Sequence, residues 1–301
     1  MTTMLGLVQQ ASNEMALPAP TSVIGSTTQD TVQLLALLNG LGNNLARGFN
    51  WQFLEKEYRF TTSYLATTGD TNSSTVITNL ASTAGLDSTY MLSGAGINQD
   101  TYVSSVDSST QVTLSQAATA TATGVALTFS KTKYSLPSDW DRQINRTHFD
   151  KSKRWEMLGP ETPQQWQWLK SAYISTGPRI RYRIMGNYFQ IWPLLGTNEY
   201  LGFEYVSKYW ILGATDTVPT KSSFTVDTDT CIFPDRLIVS GLKLMYFQIK
   251  GFDTTAFQRD YDEQMNLAKL NDQGAATLSF SPRVSSVLIG WENIPDSGYG
   301  S

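Results

Sequence analysis

The chain has 301 residues, of which 41% are hydrophobic and 12% aromatic, enough for a packed core and against wholesale disorder. Its formal net charge is −4, and no strongly basic block marks a nucleic-acid-binding surface. The one cysteine, Cys231, excludes an internal disulfide and a multi-cysteine metal site.

Met4 to Met15 reads as a short helix, with Leu5, Val8, Ala11 and Met15 on one side. The Leu17-Pro18-Ala19-Pro20 run ends it in an extended link. Asp30 is then expected to cap a stronger helix, whose stripe is Leu34, Leu37, Leu38, Leu41 and Leu45. Gly40 and Gly42 weaken that helix or admit another helix closely. The first basic residue is Arg47, so the N-terminus lacks the charged start of a signal or transit peptide. Phe49, Trp51, Phe53 and Leu54 form an apolar cluster, and Tyr58, Phe60 and Thr62 alternate as a strand.

At Thr67 the composition changes. Through Ser130 the chain is rich in Ser, Thr, Ala and Gly, and short alternating runs such as Gln111 to Leu114 and Val125 to Phe129 are separated by turns. This is the pattern of a small all-β module inserted between two strands of the main body, at 67–130. It holds Asp70, Asp87, Asp100 and Asp107 and no Glu, Lys or Arg, so the remaining segments carry 22 acids and 22 bases. The whole excess of negative charge lies in the module.

The body, 1–66 and 131–274, resumes at Lys131 with a locally basic stretch. Leu136 to Trp140 is a turn leading into a short helix, and Thr162 caps another helix carrying Trp166, Leu169 and Tyr173. Arg179 to Trp192 is the clearest β-hairpin, because Gly186-Asn187 is a two-residue turn signal. Its register sets Ile184 opposite Phe189 and Tyr182 opposite Ile191 on a buried face. Arg179, Arg181 and Arg183 then share the other face, with Trp192 near enough to Arg181 for cation–π contact. Glu199 to Trp210 is expected as the third strand, its Glu204 and Lys208 pointing out with the arginines.

Ile232 to Gln273 organises the whole: two helices joined at Gly251. Pro234 opens the first, and Leu237, Ile238, Gly241, Leu242, Met245 and Ile249 form its inner face. Thr255 and Gln258 are read as a capping box for the second, which buries Phe257, Tyr261, Gln264, Met265 and Ala268. The longest apolar run, Leu237 to Phe247, is interrupted by Ser240 and Lys243 and is too short to span a bilayer. A soluble protein made in a reducing cytoplasm is the expectation. The sum is an α+β fold: a helical bundle with a small antiparallel sheet, an inserted β-module, and an extended arm at 275–301.

No catalytic constellation emerges. The sole histidine, His148, has no nucleophile motif near it and reads as an ordinary polar residue. Asp70 to Ser74 lacks the Gly and closing Glu of a calcium loop, and Gly94-Ala95-Gly96 precedes no helix. Asp227 and Asp229 read as loop residues rather than paired catalytic acids. Trp166 and Trp168 read as one core and one rim residue. For the arginine stripe the plain reading is a solvated face with Glu204 as partner. The functional reading is a subunit-interface or channel surface that meets acids or phosphates.

Four stretches occur together in one order: Asn39 to Phe60, the Tyr134 to Trp140 turn, the Ile184 to Trp192 hairpin, and Phe233-Pro234-Asp235 through Asp272. That order resembles the head-to-tail adaptor proteins of short-tailed bacteriophages, the connector or tail tubular protein A-like proteins. Residues 93–97 and 112–118 resemble small β-modules of phage virion proteins, although the family usually lacks so large an insert here. The resemblance implies a structural virion protein in the neck between capsid and tail, with neither enzyme activity nor cofactor. It implies a ring of twelve copies that joins the portal protein to a tail nozzle protein, away from any membrane. Genomic DNA passes through its channel without sequence-specific binding. Phe280, Val284, Val287, Leu288, Ile289, Trp291 and Ile294 in the arm are expected to bind the portal, because so many apolar groups are ill suited to water. A sugar- or receptor-binding tail protein is the alternative, and a hydrolytic enzyme a weaker third.

Overall fold

The computed structural model describes residues 2–171 and 179–273. In chain order, α1 (Met4–Glu14) and α2 (Gln29–Gly48) lead to β1 (Glu55–Thr61). Six strands follow: β2 (Tyr64–Asn72), β3 (Val76–Ile77), β4 (Tyr90–Gly94), β5 (Val103–Ser108), β6 (Gln111–Leu114) and β7 (Thr121–Lys131). Then come β8 (Lys133–Ser135), β9 (Trp140–Gln143), β10 (Phe149–Asp150), β11 (Trp155–Glu156) and α3 (Pro163–Lys170). The hairpin is β12 (Arg181–Met185) and β13 (Tyr188–Trp192), followed by β14 (Tyr200–Ser207), β15 (Ile211–Leu212) and β16 (Thr230–Cys231). Helices α4 (Asp235–Lys250) and α5 (Thr255–Gln273) close the described chain.

Helix α4 is the hub of the helical part, with α1, α2 and α5 packed around it. Being surrounded, it buries Val239, Leu244 and Tyr246 as well as Leu237, Ile238 and Leu242. Ile249, expected on the inner face, is instead 59% exposed. Gly241 permits the closest approach: a Cβ there would lie 2.7 Å from Leu41 of α2 and 3.0 Å from Tyr261 of α5. Gly251 ends α4 at φ +77°, a conformation that costs glycine little.

Two caps differ from the sequence reading. Asp30 lies inside the first turn of α2, and its carboxylate accepts from the Tyr246 hydroxyl at 3.3 Å and pairs with Lys250 at 3.5 Å. Thr255 and Gln258 form no capping box. The Asp253 carboxylate accepts from the Thr255 N–H and hydroxyl, while the Gln258 amide reaches Asp262. Thr162 and Gln165 do form one, opening α3; Tyr173 lies outside the described residues.

Trp210 joins the helices to the sheets. Its fully buried indole stands edge-on to Phe224, and its Nε1–H donates to Asn43 Oδ1 at 3.1 Å. What approaches Gly42 is therefore this indole rather than a helix: a Cβ at Gly42 would sit 2.0 Å from it. Gly40, two residues earlier, faces open space. The loop before α4 is held by carboxylates. Asp229, fully buried, accepts from Lys221 and from the Thr225 and Val226 N–H groups, and Asp227 accepts from Ser22, Val23 and Ile24. Both are anchors, which accounts for their spacing without catalysis.

Strand β14 pairs with β1, β10 and β9 in a five-stranded sheet, and not with the hairpin. The third strand beside the hairpin is β8, in register Gln190 to Lys133. The two sheets face one another across Tyr182, Phe189 and Ile191 on one side and Leu201, Phe203 and Tyr205 on the other. Alternation puts Val206 on the opposite face of β14, in the helical core. The turn at Leu136 to Trp140 leads into β9, not into a helix. Asp139 caps nothing; it is buried and accepts from Lys56 Nζ at 2.7 Å and from the Tyr205 and Ser207 hydroxyls at 2.8 Å. Burial alone pushes its carboxyl up, but these three donors outweigh that and hold it below the usual range.

Strands β2 to β7 form two three-stranded sheets, in orders β2-β7-β4 and β3-β6-β5. They enclose their own cluster, which includes Ile77, Leu92, Val112, Leu127 and Phe129.

The glycine pair gives a sharp contrast. Gly42→Ala should destabilise the chain by about 1–3 kcal/mol through overpacking against Trp210. Gly40→Ala should stabilise it by about 0.5–1 kcal/mol through helix propensity. Chemical denaturation of both variants checks this, and equal effects would remove Trp210 from its assigned place.

Candidate assembly surfaces

The hairpin turns at Gly186 (φ +60°) and Asn187 (φ +67°), the double left-handed conformation that matches strand twist. Ile184 faces Phe189, Tyr182 faces Ile191, and Arg181 faces Trp192. Arg181 and Arg183 therefore share a face of β12, but their surroundings differ, and Arg179 lies before the strand. Arg181 pairs with the buried Glu161 at 2.8 Å instead of stacking on Trp192. Glu204, on the other sheet, is no partner of theirs. Arg183 is half-buried and Arg179 exposed, and neither has an ion pair among the described residues. The arm residues Phe280, Val284, Val287, Leu288, Ile289, Trp291 and Ile294 lie outside the described residues.

Sequence reasoning missed a junction on this same face. Trp192, 2% exposed, packs with Trp166 and Leu169 of α3 and with Met91 of β4. A large apolar residue on an otherwise charged hairpin face was the available signal. Lys170 of α3 pairs with Asp100 at 2.7 Å across the same junction, and Lys133 Nζ stands 5.5 Å from the centre of the Tyr102 ring. The β-module is thus packed onto the hairpin sheet through Met91, not merely tethered at its two strands. Trp166 is a core residue, whereas Trp168 is 46% exposed.

His148 lies between the two sheets, 1% exposed, with its ring 4.1 Å from that of Tyr182 and 5.1 Å from that of Phe203. Its Nδ1 shares a 3.0 Å hydrogen bond with the Tyr182 hydroxyl, and its Nε2 is buried with no partner among the described residues. Burial holds its pKa down at about 4. It is a neutral packing residue.

A polar cleft of about 270 Å³ opens where α2 meets β9 and β14, lined by Asn43, Arg47, Asp141, Ser207, Lys208 and Ser222. Arg47 there pairs with Asp141 at 3.3 Å. Among the described residues no group of three His, Cys, Asp or Glu side chains is placed to hold a metal, and no helix is long and apolar enough to cross a membrane. Cys231 is buried and its thiol is pushed up to about 12, chiefly by that burial.

The geometry offers packed junctions and charged faces, the features of a part that fits other parts. A family profile, that of the SU10 adaptor protein, matches residues 106–284. The chain belongs to the SU10 adaptor protein family. The match begins inside β5, so it takes in the second half of the β-module, the hairpin sheet and the α4–α5 pair. This adaptor is accordingly a structural protein of the phage virion, and its partners are other head and tail proteins. No curated protein matches the chain.

The buried histidine gives a pH dependence. Its pKa is about 4 folded and about 6.5 when free, so between those values the unfolded chain binds more protons. Stability should fall as pH drops from about 6.5 to 4, by roughly 3 kcal/mol from this residue, and its contribution should be flat above. His148→Phe should lose that component when melting is followed from pH 7 to pH 4; an unchanged slope would place the titration elsewhere.

Proposed function

We infer that this adaptor assembles as a ring of twelve copies that joins the portal protein to a tail nozzle protein and extends the DNA channel, as in short-tailed phages. The carrying observation is the family match across the hairpin sheet and the α4–α5 pair, the elements that also carry the resemblance to head-to-tail adaptors. The balance of charge outside 67–130 suits a channel wall that lets DNA pass without gripping it. In this reading 67–130 is a β-domain on the outside of the ring. The Arg179, Arg181 and Arg183 face meets acids of a neighbouring subunit or the channel. A shared tryptophan platform for sugars is disfavoured by the burial of Trp166 under Met91.

The arm at 275–301 is the portal-binding element in this reading. It carries seven large apolar side chains from Phe280 to Ile294 but only Arg283, Glu292 and Asp296 as charges, so its attachment is mostly apolar and weakly salt-dependent. Trp291 is the chosen anchor, since a buried indole contributes roughly 2 kcal/mol or more at an interface.

A chain truncated after Gln273 should keep a cooperative melting transition and lose co-sedimentation with the portal. Trp291→Ala should weaken that binding roughly thirtyfold. Portal binding by the truncated chain equal to that of the full chain would refute the assignment.

A further inference from the structure

The four aspartates of 67–130 face no base within their own module. Asp100 finds Lys170, across the junction with the body. Asp107 finds none among the described residues: its carboxylate accepts from the Thr113 hydroxyl at 2.6 Å and the Ser105 hydroxyl at 2.8 Å. Those hydrogen bonds hold it below the usual carboxylate range, so it is charged at neutral pH. Asp70, bonded to the Gly124 N–H and Asn79, also lacks a cation. Asp70 on β2 and Asp107 on β5 lie in the two different sheets of the module.

Asp107 lies on β5, the edge strand of its sheet. Residues 104–108 of β5 are exposed, Val106 beside the acid at 41%. Two bulges interrupt the strand, and only its end at Ser108 is held, by the Thr83 hydroxyl, so its middle is open to a partner.

The opposite charge lies on the charged face of the hairpin sheet, toward its turn and beyond the part at Trp192 that the β-module covers. Register aligns Arg183, Gln190 and Lys133 in one row across the three strands. Neither Arg183 nor Lys133 has an ion pair among the described residues. The next row contains Met185 and Tyr188, 43% and 37% exposed. An apolar centre with a basic rim thus stands on one part of the chain, and an apolar residue with an acidic rim on another.

They do not meet within one copy. Tyr102 lies over Lys133, and β5 runs on from there, carrying Asp107 roughly 15 Å farther along at the usual rise per residue. A closed ring joins two different patches of each copy, which is the arrangement that an acidic edge and a separate basic face supply.

We propose that the turn end of the charged hairpin face, at Arg183, Met185 and Tyr188, receives strand β5 of the next copy, with Asp107 against Arg183. This rests on the ring reading above and names the contact that closes the ring. The modules then form a continuous belt, each touching the body of its neighbour.

The test is the full chain carrying Asp107→Cys and Arg183→Cys together, assembled on its portal and treated with a mild thiol oxidant. Denaturing gels should show a reducible ladder of multimers, while either single variant stops at the monomer or a dimer. Cys231 is buried and stays silent. Should the paired variant fail to assemble, charge reversal decides: Asp107→Arg or Arg183→Asp alone should weaken assembly about tenfold or more, and the two together should restore it. Rings that form without a ladder, or charge reversals without effect, overturn the contact while leaving the ring reading intact. An unaltered chain that forms no ring on the portal overturns the ring reading and the contact with it.

Discussion

The contact on which the rest of the body depends is the indole of Trp210 against the backbone of α2 at Gly42. Trp210 stands just beyond β14, where the chain leaves the five-stranded sheet for the helices. Its N–H donates to the Lys221 carbonyl and its carbonyl accepts from Ile232. The indole rests on Gly42, is held by Asn43, and lies beside Phe224 and Phe233. Only glycine lets a ring come so close to a helix axis. With that contact fixed, β14 leaves the helical core at one angle. Its two faces then serve two cores, Val206 for the helices and Phe203 for the sheet pair. On the far side Trp51 does similar work: its Nε1–H donates to the Leu45 carbonyl at 2.7 Å, so α2 passes into β1 without a flexible link.

Features of short sequence range were the legible ones. The hairpin register follows from two consecutive residues able to take positive φ, and α4 and α5 follow from three- and four-residue apolar spacing. Pairings set by distant parts of the chain were not legible. The partner of Arg181 is Glu161 and not Glu204, because β14 joins another sheet, and no local pattern encodes which sheet a strand enters. The Leu136 to Trp140 turn reads as a lead into a helix, and nothing local marks Asp139 within it as a buried ion-pair anchor. Its true neighbours, Lys56, Tyr205 and Ser207, come from strands far along the chain. The same limit hid the environment of His148, whose solitary place in the sequence gave no sign of a stack of rings around it.

The β-module shows how a sequence boundary and a mechanical boundary differ. Composition changes at Thr67, and strands β2 to β7 enclose a cluster of their own. Yet Met91 packs in one cluster with Trp166 and Trp192, and the Lys170–Asp100 pair spans the same junction. A module seated in this way transmits its position to the hairpin sheet, and through β14 to the helices. Removing it would expose two tryptophans, so its deletion is a perturbation of the body as well as of the surface. The family match, which starts at Val106 within β5, likewise does not respect the composition boundary. Segregated charge leaves surfaces that are not satisfied within the chain open to charged partners.

The central claim is that this adaptor is a ring-forming joint rather than a catalyst or a lone binding protein. Single-particle imaging of the full chain mixed with its portal tests it most directly. The account predicts a closed ring coaxial with the portal, with the β-modules arranged around its outside. A permanent dimer that never joins the portal would contradict it.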